Sequence, residues 1–288
     1  MMMIDAQSVP TVTLNDATEM PIIGLGTWEL RGEDAVTAVR SAIDLGYRHI
    51  DTAALYKNEQ EVGRAIHDAI AAGDVTRDEL FITTKAWNDM HGADKVQRGF
   101  QDSLTRLGLD YVDCYMVHWP CPQKGLYVET FEAVAKLQGL GQLRSVAVAN
   151  FYPEVLEEVT HATGIAPAVN QIELHPGFSQ SDQREVHRTL GVITEAWSPL
   201  GHGESLSEPV VAAIAKKYGK TPAQIILRWI VQLGCSVVPK SAHPDRQREN
   251  IDIFDFELSE EELKAMTALD ATGGRAFPDP REWPGLED

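Results

Sequence analysis

Residues 80–85, Leu80-Phe81-Ile82-Thr83-Thr84-Lys85, form an apolar, strand-like run that ends on a charge. Val96, Phe100, Leu104 and Leu107 follow at spacings of three and four, so they share one face of a helix. A second strand-like run then covers Val112 to His118. Strand, helix and strand in so short a stretch make a βαβ unit, and such a crossover forces the two strands to run parallel.

The same alternation extends outward in both directions. Upstream, Tyr47-Arg48-His49-Ile50-Asp51 precedes a helical face of Val62, Ile66 and Ile70. Before that, Ile22 to Gly26 precedes Val36, Val39 and Ile43. Downstream, further strands are predicted at Val146–Ala149, Val169–Leu174, Val192–Trp197 and Ser236–Val238. Thr221-Pro222 reads as an N-cap with proline in the first helical position. Ser259 with Glu262 reads as a capping box for a late helix. A hairpin is predicted at the start: Thr11 to Leu14, a turn at Asn15-Asp16, and a return through Met20. The expected fold class is therefore α/β. It is a single (β/α)8 TIM barrel spanning 1–288 as one domain, with an N-terminal β-hairpin and a short extra C-terminal helix and tail. An open doubly wound sheet would carry GxGxxG after its first strand. Gly24-Leu25-Gly26-Thr27-Trp28-Glu29 stops one glycine short, and no helical pattern starts there.

The bulk numbers bound the rest. The chain has 288 residues, 43% hydrophobic and 24% charged, and a formal net charge of −18. That charge argues against nucleic acid or an anionic membrane surface as partner. Cys114, Cys121 and Cys235 are widely spaced and odd in number, which points to a reducing compartment. Met1 to Asp5 lacks the basic, then apolar, start of a signal peptide. No run approaches the ~20 apolar residues of a membrane span. A cytoplasmic monomer is expected. The histidines lack the spacing of a zinc site, so no metal is expected.

Asp51, Tyr56, Lys85 and His118 each lie at or just past a strand-like run. In a parallel barrel such positions converge at the carboxyl ends of the strands. A phenol beside an ammonium, a carboxylate and an imidazole is a proton-donating site. The phenol starts near pKa 10, and bringing it to 7 requires about 4 kcal/mol of differential stabilisation. A nearby Lys85 ammonium held by Asp51 is expected to lower it, while His118 orients a carbonyl oxygen. The arrangement points to a carbonyl reductase. One alternative uses Lys85 as a Schiff-base nucleophile in a barrel lyase or isomerase. Another is a non-catalytic barrel serving as a cofactor-sensing regulatory subunit.

Several runs resemble the aldo-keto reductase superfamily: Gly24-Leu25-Gly26-Thr27-Trp28, then Gly46 to Tyr56, Leu109 to Asp113, Val169-Asn170-Gln171-Ile172-Glu173-Leu174-His175-Pro176, and Val238-Pro239-Lys240-Ser241. The likeness spans residues 10 to 285. With Thr272-Gly273-Gly274-Arg275 and Pro278-Asp279-Pro280 it is strongest toward the short-loop bacterial branch that includes 2,5-diketo-D-gluconate reductases. The resemblance implies NADPH-dependent reduction of aldehydes and ketones. Candidate substrates are α-dicarbonyls, keto acids and keto-sugar acids such as 2,5-diketo-D-gluconate.

Position by position, the resemblance makes Tyr56 the general acid and Asp51, Lys85 and His118 its partners. It puts Asn150 and Gln171 on the nicotinamide carboxamide, Trp197 against the ring, and Ser198 and Leu200 on the pyrophosphate side. Lys240, Ser241 and Arg246 match the 2′-phosphate positions, and Glu249 and Asn250 the adenine positions. The cluster of Lys240, Arg246 and Arg248 is itself a local anion site on an acidic chain. Ala149 stands where the family usually has Ser, which removes one expected carboxamide hydrogen bond. Trp28, Leu55, Trp87 and Trp119 match the mouth above the nicotinamide, a partly apolar pocket for a small-molecule carbonyl substrate. Short loops after Trp119 and Arg275 predict an open site, with Phe277 and Trp283 positioned to fold over it.

Overall fold

In the computed structural model, which describes residues 9–283, alternating strands and helices close into a barrel. The stretch Met1 to Asp5, on which the signal-peptide reading rests, lies outside these residues. Strands β1 (Thr11–Thr13) and β2 (Glu19–Pro21) form the antiparallel hairpin. Eight parallel strands follow, each hydrogen-bonded to the next in chain order: β3 (Leu25–Gly26), β4 (His49–Asp51), β5 (Phe81–Ala86), β6 (Val112–Val117), β7 (Leu143–Ala149), β8 (Val169–Glu173), β9 (Ile193–Trp197) and β10 (Ser236–Val237). Parallel bridges Ile23–Val237 and Gly26–Lys240 join the last strand to the first. The predicted first strand, Ile22 to Gly26, is regular only at its end. Gly26 explains the seam: a Cβ there would sit 2.7 Å from the Val238 carbonyl oxygen, so only glycine lets the backbones meet.

The crossover helices are α1 (Gly32–Asp44), α2 (Glu59–Ala72), α3 (Ala93–Leu107), α4 (Tyr127–Gln138), α5 (Pro153–Thr163) and α6 (Ser181–Leu190). After β9 come two, α7 (Pro209–Tyr218) and α8 (Pro222–Gln232), and after β10 come α9 (Pro244–Ile251) and the extra α10 (Glu260–Thr267). The predicted face of α3 is the buried one: Val96, Phe100, Leu104 and Leu107 all pack into the main core. Truncating a wholly buried phenylalanine such as Phe100 to alanine costs about 3–5 kcal/mol. Both cap signals are realised, Thr221 accepting from the Gln224 amide and Ser259 from that of Glu262.

Alternation along the strands separates two environments. On β5, Ile82 packs outward into the helix-covered core, whereas Phe81 packs inward with Cys114, Met116, Ala147, Ala149 and Val169. Leu14 and Met20 of the hairpin join that inner cluster and stopper the amino-terminal end. The turn is pinned by Asn15 Nδ2 donating to the Pro167 carbonyl at 3.0 Å. Above this dry floor the inward residues turn polar: His49 and Asp51 on β4, Thr83 and Lys85 on β5, Gln171 on β8, Glu195 on β9 and Ser236 on β10, all buried.

Candidate active site

Asp51, Tyr56, Lys85 and His118 meet at the carboxyl-end mouth. Asp51 closes β4, Lys85 is the last inward residue of β5, and His118 is the first residue after β6. Tyr56 hangs from a 3-10 turn, Ala54–Tyr56, that ends on the left-handed Lys57 (φ 52°). Buried Asn58 fixes this turn: it donates to the Thr27 and Leu30 carbonyls at 2.8 and 3.1 Å and accepts from Thr52 at 2.8 Å. The loops after β3 and β4 are thereby tied together.

The Lys85 ammonium lies 2.7 Å from each oxygen of Asp51, 3.0 Å from the Thr52 carbonyl and 3.4 Å from the Tyr56 hydroxyl. Burial alone would pull its pKa down, but Asp51 and Tyr56 hold it up, to about 12. The phenol departs from the sequence-based expectation. Burial raises the Tyr56 pKa above its ordinary value, with Lys85 only partly opposing it. Burial is the larger effect, and Asp51, both of whose oxygens face Lys85, further offsets the ammonium. Burial, then the Lys85 charge, holds His118 well below the usual histidine range, so it is a neutral imidazole. Its ring stands edge-to-face to Tyr56 at 5.8 Å and to Trp87 at 5.1 Å. The site thus offers a protonated phenol and a neutral imidazole to the same cleft.

The cleft and the open space at its mouth together enclose about 1040 Å³. Trp28, Leu55, Trp87 and Trp119 all line it, together with Asn150, Gln171, Trp197, Ser198 and Lys240. The tail returns over the opening: Trp283 sits 4.2 Å from Trp119 and 6.1 Å from Trp87, and Phe277 lies 4.6 Å from Trp197. The mouth is therefore more enclosed than the short loops predict. Glu173 anchors the tail, accepting from the Ala276 amide at 2.6 Å and facing Arg275 at 3.6 Å. The other Glu173 contact is His175 at 3.0 Å.

Asn150, left-handed at φ 61°, donates to the His118 carbonyl at 3.0 Å and accepts from Trp197 Nε1 at 3.0 Å. That last bond sets the Trp197 ring upright at the cleft wall. Ala149 is wholly buried in the inner cluster, so no hydroxyl supplements Asn150 there. Lys240 and Arg246 are exposed, and neither forms an ion pair among the described residues, unlike Arg248, which faces Asp245 at 3.4 Å. With Ser241 they flank the amino end of α9, a donor set suited to a phosphate. Asn250 is buried and Glu249 exposed on the same helix. Leu200 packs against the core and does not line the cleft.

Two buried carboxylates, Glu173 and Glu195, escape the sequence reading, which takes their runs simply as strands. The available signal was the alternation. Gln171 and Glu173 share one face of β8, as Glu195 and Trp197 share one face of β9.

A closed parallel barrel whose mouth carries a proton donor beside a buried cation has the layout of a barrel enzyme. The chain belongs to the aldo/keto reductase family, whose model matches residues 22–271. It is 50% identical over 272 residues to an aldo-keto reductase of Mycolicibacterium smegmatis, covering 94% of this chain and 97% of that one. It is 47% identical over 283 residues to one of Mycolicibacterium vanbaalenii, covering 98% and 100%. Among solved structures, a Gox0644 mutant in complex with NADPH superposes with a TM-score of 0.91 at 41% identity, covering 96% of this chain and 99% of that one. A Bombyx mori aldo-keto reductase in complex with NADP gives 0.90 at 37% identity, covering 96% and 98%.

Proposed function

We propose that this chain reduces aldehydes and ketones to alcohols with NADPH. The observation that carries the reading is the buried Asp51–Lys85 pair ending on the Tyr56 hydroxyl at 3.4 Å, inside an aromatic cleft. The unpaired Lys240 and Arg246 beside α9 supply the second support, since they suit a 2′-phosphate, with Ser241 adding a hydroxyl. NADPH-bound relatives of the same fold make the assignment consistent.

When bound, NADPH supplies the hydride for the carbonyl carbon. Asn150 and Gln171 would hold the carboxamide, Trp197 would back the ring, Ser198 would flank the pyrophosphate, and Glu249 and Asn250 would receive the adenine. Tyr56 donates its proton to the carbonyl oxygen as negative charge develops there. Its raised pKa keeps it protonated at neutral pH, and Lys85 stabilises the phenolate left behind. Neutral His118 donates a hydrogen bond to the same oxygen and sets its position. Trp28, Leu55, Trp87 and Trp119, with Trp283 of the tail, grip the rest of the substrate.

Lys240 is the sole cation among the residues lining the cleft. Uncharged aldehydes, ketones and α-dicarbonyls fit this lining better than keto acids or 2,5-diketo-D-gluconate. Those carboxylates would compete with the cofactor for Lys240. Schiff-base chemistry is disfavoured, because Lys85 is buried, bound to both Asp51 oxygens and held at about 12. A nucleophilic amine must first lose that proton.

The test follows NADPH absorbance with a panel of aldehydes, α-dicarbonyls and keto acids, for the wild type and Tyr56→Phe. Turnover by the wild type and its loss in Tyr56→Phe, with NADPH binding retained, are expected. Full activity in Tyr56→Phe would overturn the mechanism. NADPH binding without turnover would favour a sensing role.

A further inference from the structure

Beneath the Asp51–Lys85 pair lies a second carboxylate that the proposed chemistry does not use. Glu195 is wholly buried on the inward face of β9. One oxygen, Oε1, accepts from Gln171 Nε2 at 2.7 Å, and the other accepts from Ser236 Oγ at 2.8 Å, with His49 Nδ1 at 3.8 Å. Gln171 Nε2 also donates to Asp51 Oδ2 at 2.9 Å.

A primary amide nitrogen carries two hydrogens. Both hydrogens of Gln171 are thus spent on carboxylates, one from β4 and one from β9. Rotating the amide by half a turn would place its carbonyl oxygen against two anionic oxygens and leave both without that donor. Each lost charge-assisted bond is among the stronger ones a protein makes. The amide therefore has one orientation. Its nitrogen points into the barrel, and its carbonyl oxygen, for which the described residues offer no donor, is the only polar group it presents to the cleft that it lines.

We infer that Glu195 is a positioning residue that locks Gln171 as an acceptor-only contact, so that the group seated against it must bring an N–H. Asp51 alone would not achieve this. With one carboxylate anchor, the second amide hydrogen is free, and the side chain can offer either a donor or an acceptor. Two anchors from two strands remove that choice. The inference rests on the reading that NADPH occupies the cleft, because its carboxamide is the group that supplies the N–H to Gln171.

The test compares dissociation constants for NADPH and for its reduced 3-acetylpyridine analogue, measured by quenching of tryptophan fluorescence. The analogue keeps a carbonyl but replaces the carboxamide NH2 with a methyl group. For the wild type, the analogue is expected to bind about tenfold more weakly, the worth of one hydrogen bond with its acceptor left unpaired. In Glu195→Met the second amide hydrogen of Gln171 is free to donate to the acetyl oxygen, so the ratio should fall to within about twofold. Glu195→Gln, which keeps the shape and loses the charge, should show a partial fall. Ser236→Ala leaves both Gln171 anchors in place and should keep the wild-type ratio.

A wild-type ratio retained in Glu195→Met, or in Glu195→Gln should the first not fold, would overturn the inference. An equal fall in Ser236→Ala would do the same, because it would mark general loosening of the barrel. Failure of the wild type to bind NADPH at all would instead strike the proposed function, and this inference with it.

Discussion

Replacing Asp51 with asparagine removes the only carboxylate, among the described residues, in contact with a fully buried ammonium. In the wild type, Lys85 faces both Asp51 oxygens at 2.7 Å. In Asp51→Asn it keeps the Thr52 carbonyl, the phenol and a neutral amide. Breaking one side of a buried pair costs about 3–5 kcal/mol, because the remaining charge stays desolvated. For a chain of this size that lowers the melting temperature by roughly 5–8 °C. A pH series identifies the cause. Wild-type Lys85 is held at about 12 when folded, above its unfolded value of about 10.4. Both states therefore carry the proton from pH 7 to about 9, and Lys85 adds almost no slope there. In the variant, burial without Asp51 drops the folded value below the unfolded one. Between those two values the unfolded chain binds more protons, so stability rises with pH by about 1.4 kcal/mol per unit. Melting curves at pH 7, 8, 9 and 10 should show the gap to the wild type narrowing. Parallel curves, or a loss below about 2 °C at pH 7, would refute the account of an uncompensated buried charge.

Other parts of the molecule give further expectations. Alanine at both Lys240 and Arg246 should raise the KM for NADPH at least about tenfold, with little change for NADH; an unaltered NADPH:NADH preference would remove these residues from the 2′-phosphate site. Burial holds His187 down at about 3 and His91 at about 4. Their stabilising effect is full above the unfolded value of about 6.5 and is lost as pH falls below it, at up to about 1.4 kcal/mol per unit each. Urea midpoints should drop from pH 6.5 to 4.5, less steeply in His187→Gln; identical slopes in the two proteins would count against it. His175 has the opposite sign. Burial lowers its pKa, but Glu173 and the Pro176 carbonyl outweigh this, so its contribution is present at low pH and lost as pH rises through its raised folded pKa. Finally, Glu173→Gln or Trp283→Ala should raise the KM for carbonyl substrates while kcat changes little. A fall in kcat with constant KM would place the tail in the chemistry instead.

Much of this architecture could be read directly. The bounds of β6 and the buried face of α3 follow from two short-range periodicities, and these fix a parallel barrel once their number is counted. The convergence of Asp51, Lys85 and His118 follows from where strands end. The remainder depends on three-dimensional neighbours that no local pattern encodes. The brevity of β3 comes from the close approach of Gly26 to Val238 across the seam. Glu195 looks like any charge in a strand until alternation places it inside the barrel beside Gln171. The direction of the Tyr56 shift depends first on how deeply the folded barrel buries the phenol, and then on the balance of Lys85 against Asp51. The return of Trp283 onto Trp119 depends on a tail anchored at Glu173, far away in sequence.

The hydrophobic stopper formed by Leu14, Met20 and Phe81 has a kinetic meaning. It closes the barrel's amino-terminal end with apolar side chains and leaves the cleft to open at the other. On the proposed mechanism, a proton given up by Tyr56 would be replaced not through this apolar floor but through the opening by which product departs. Solvent isotope effects on this enzyme should therefore report on departure as well as on bond making.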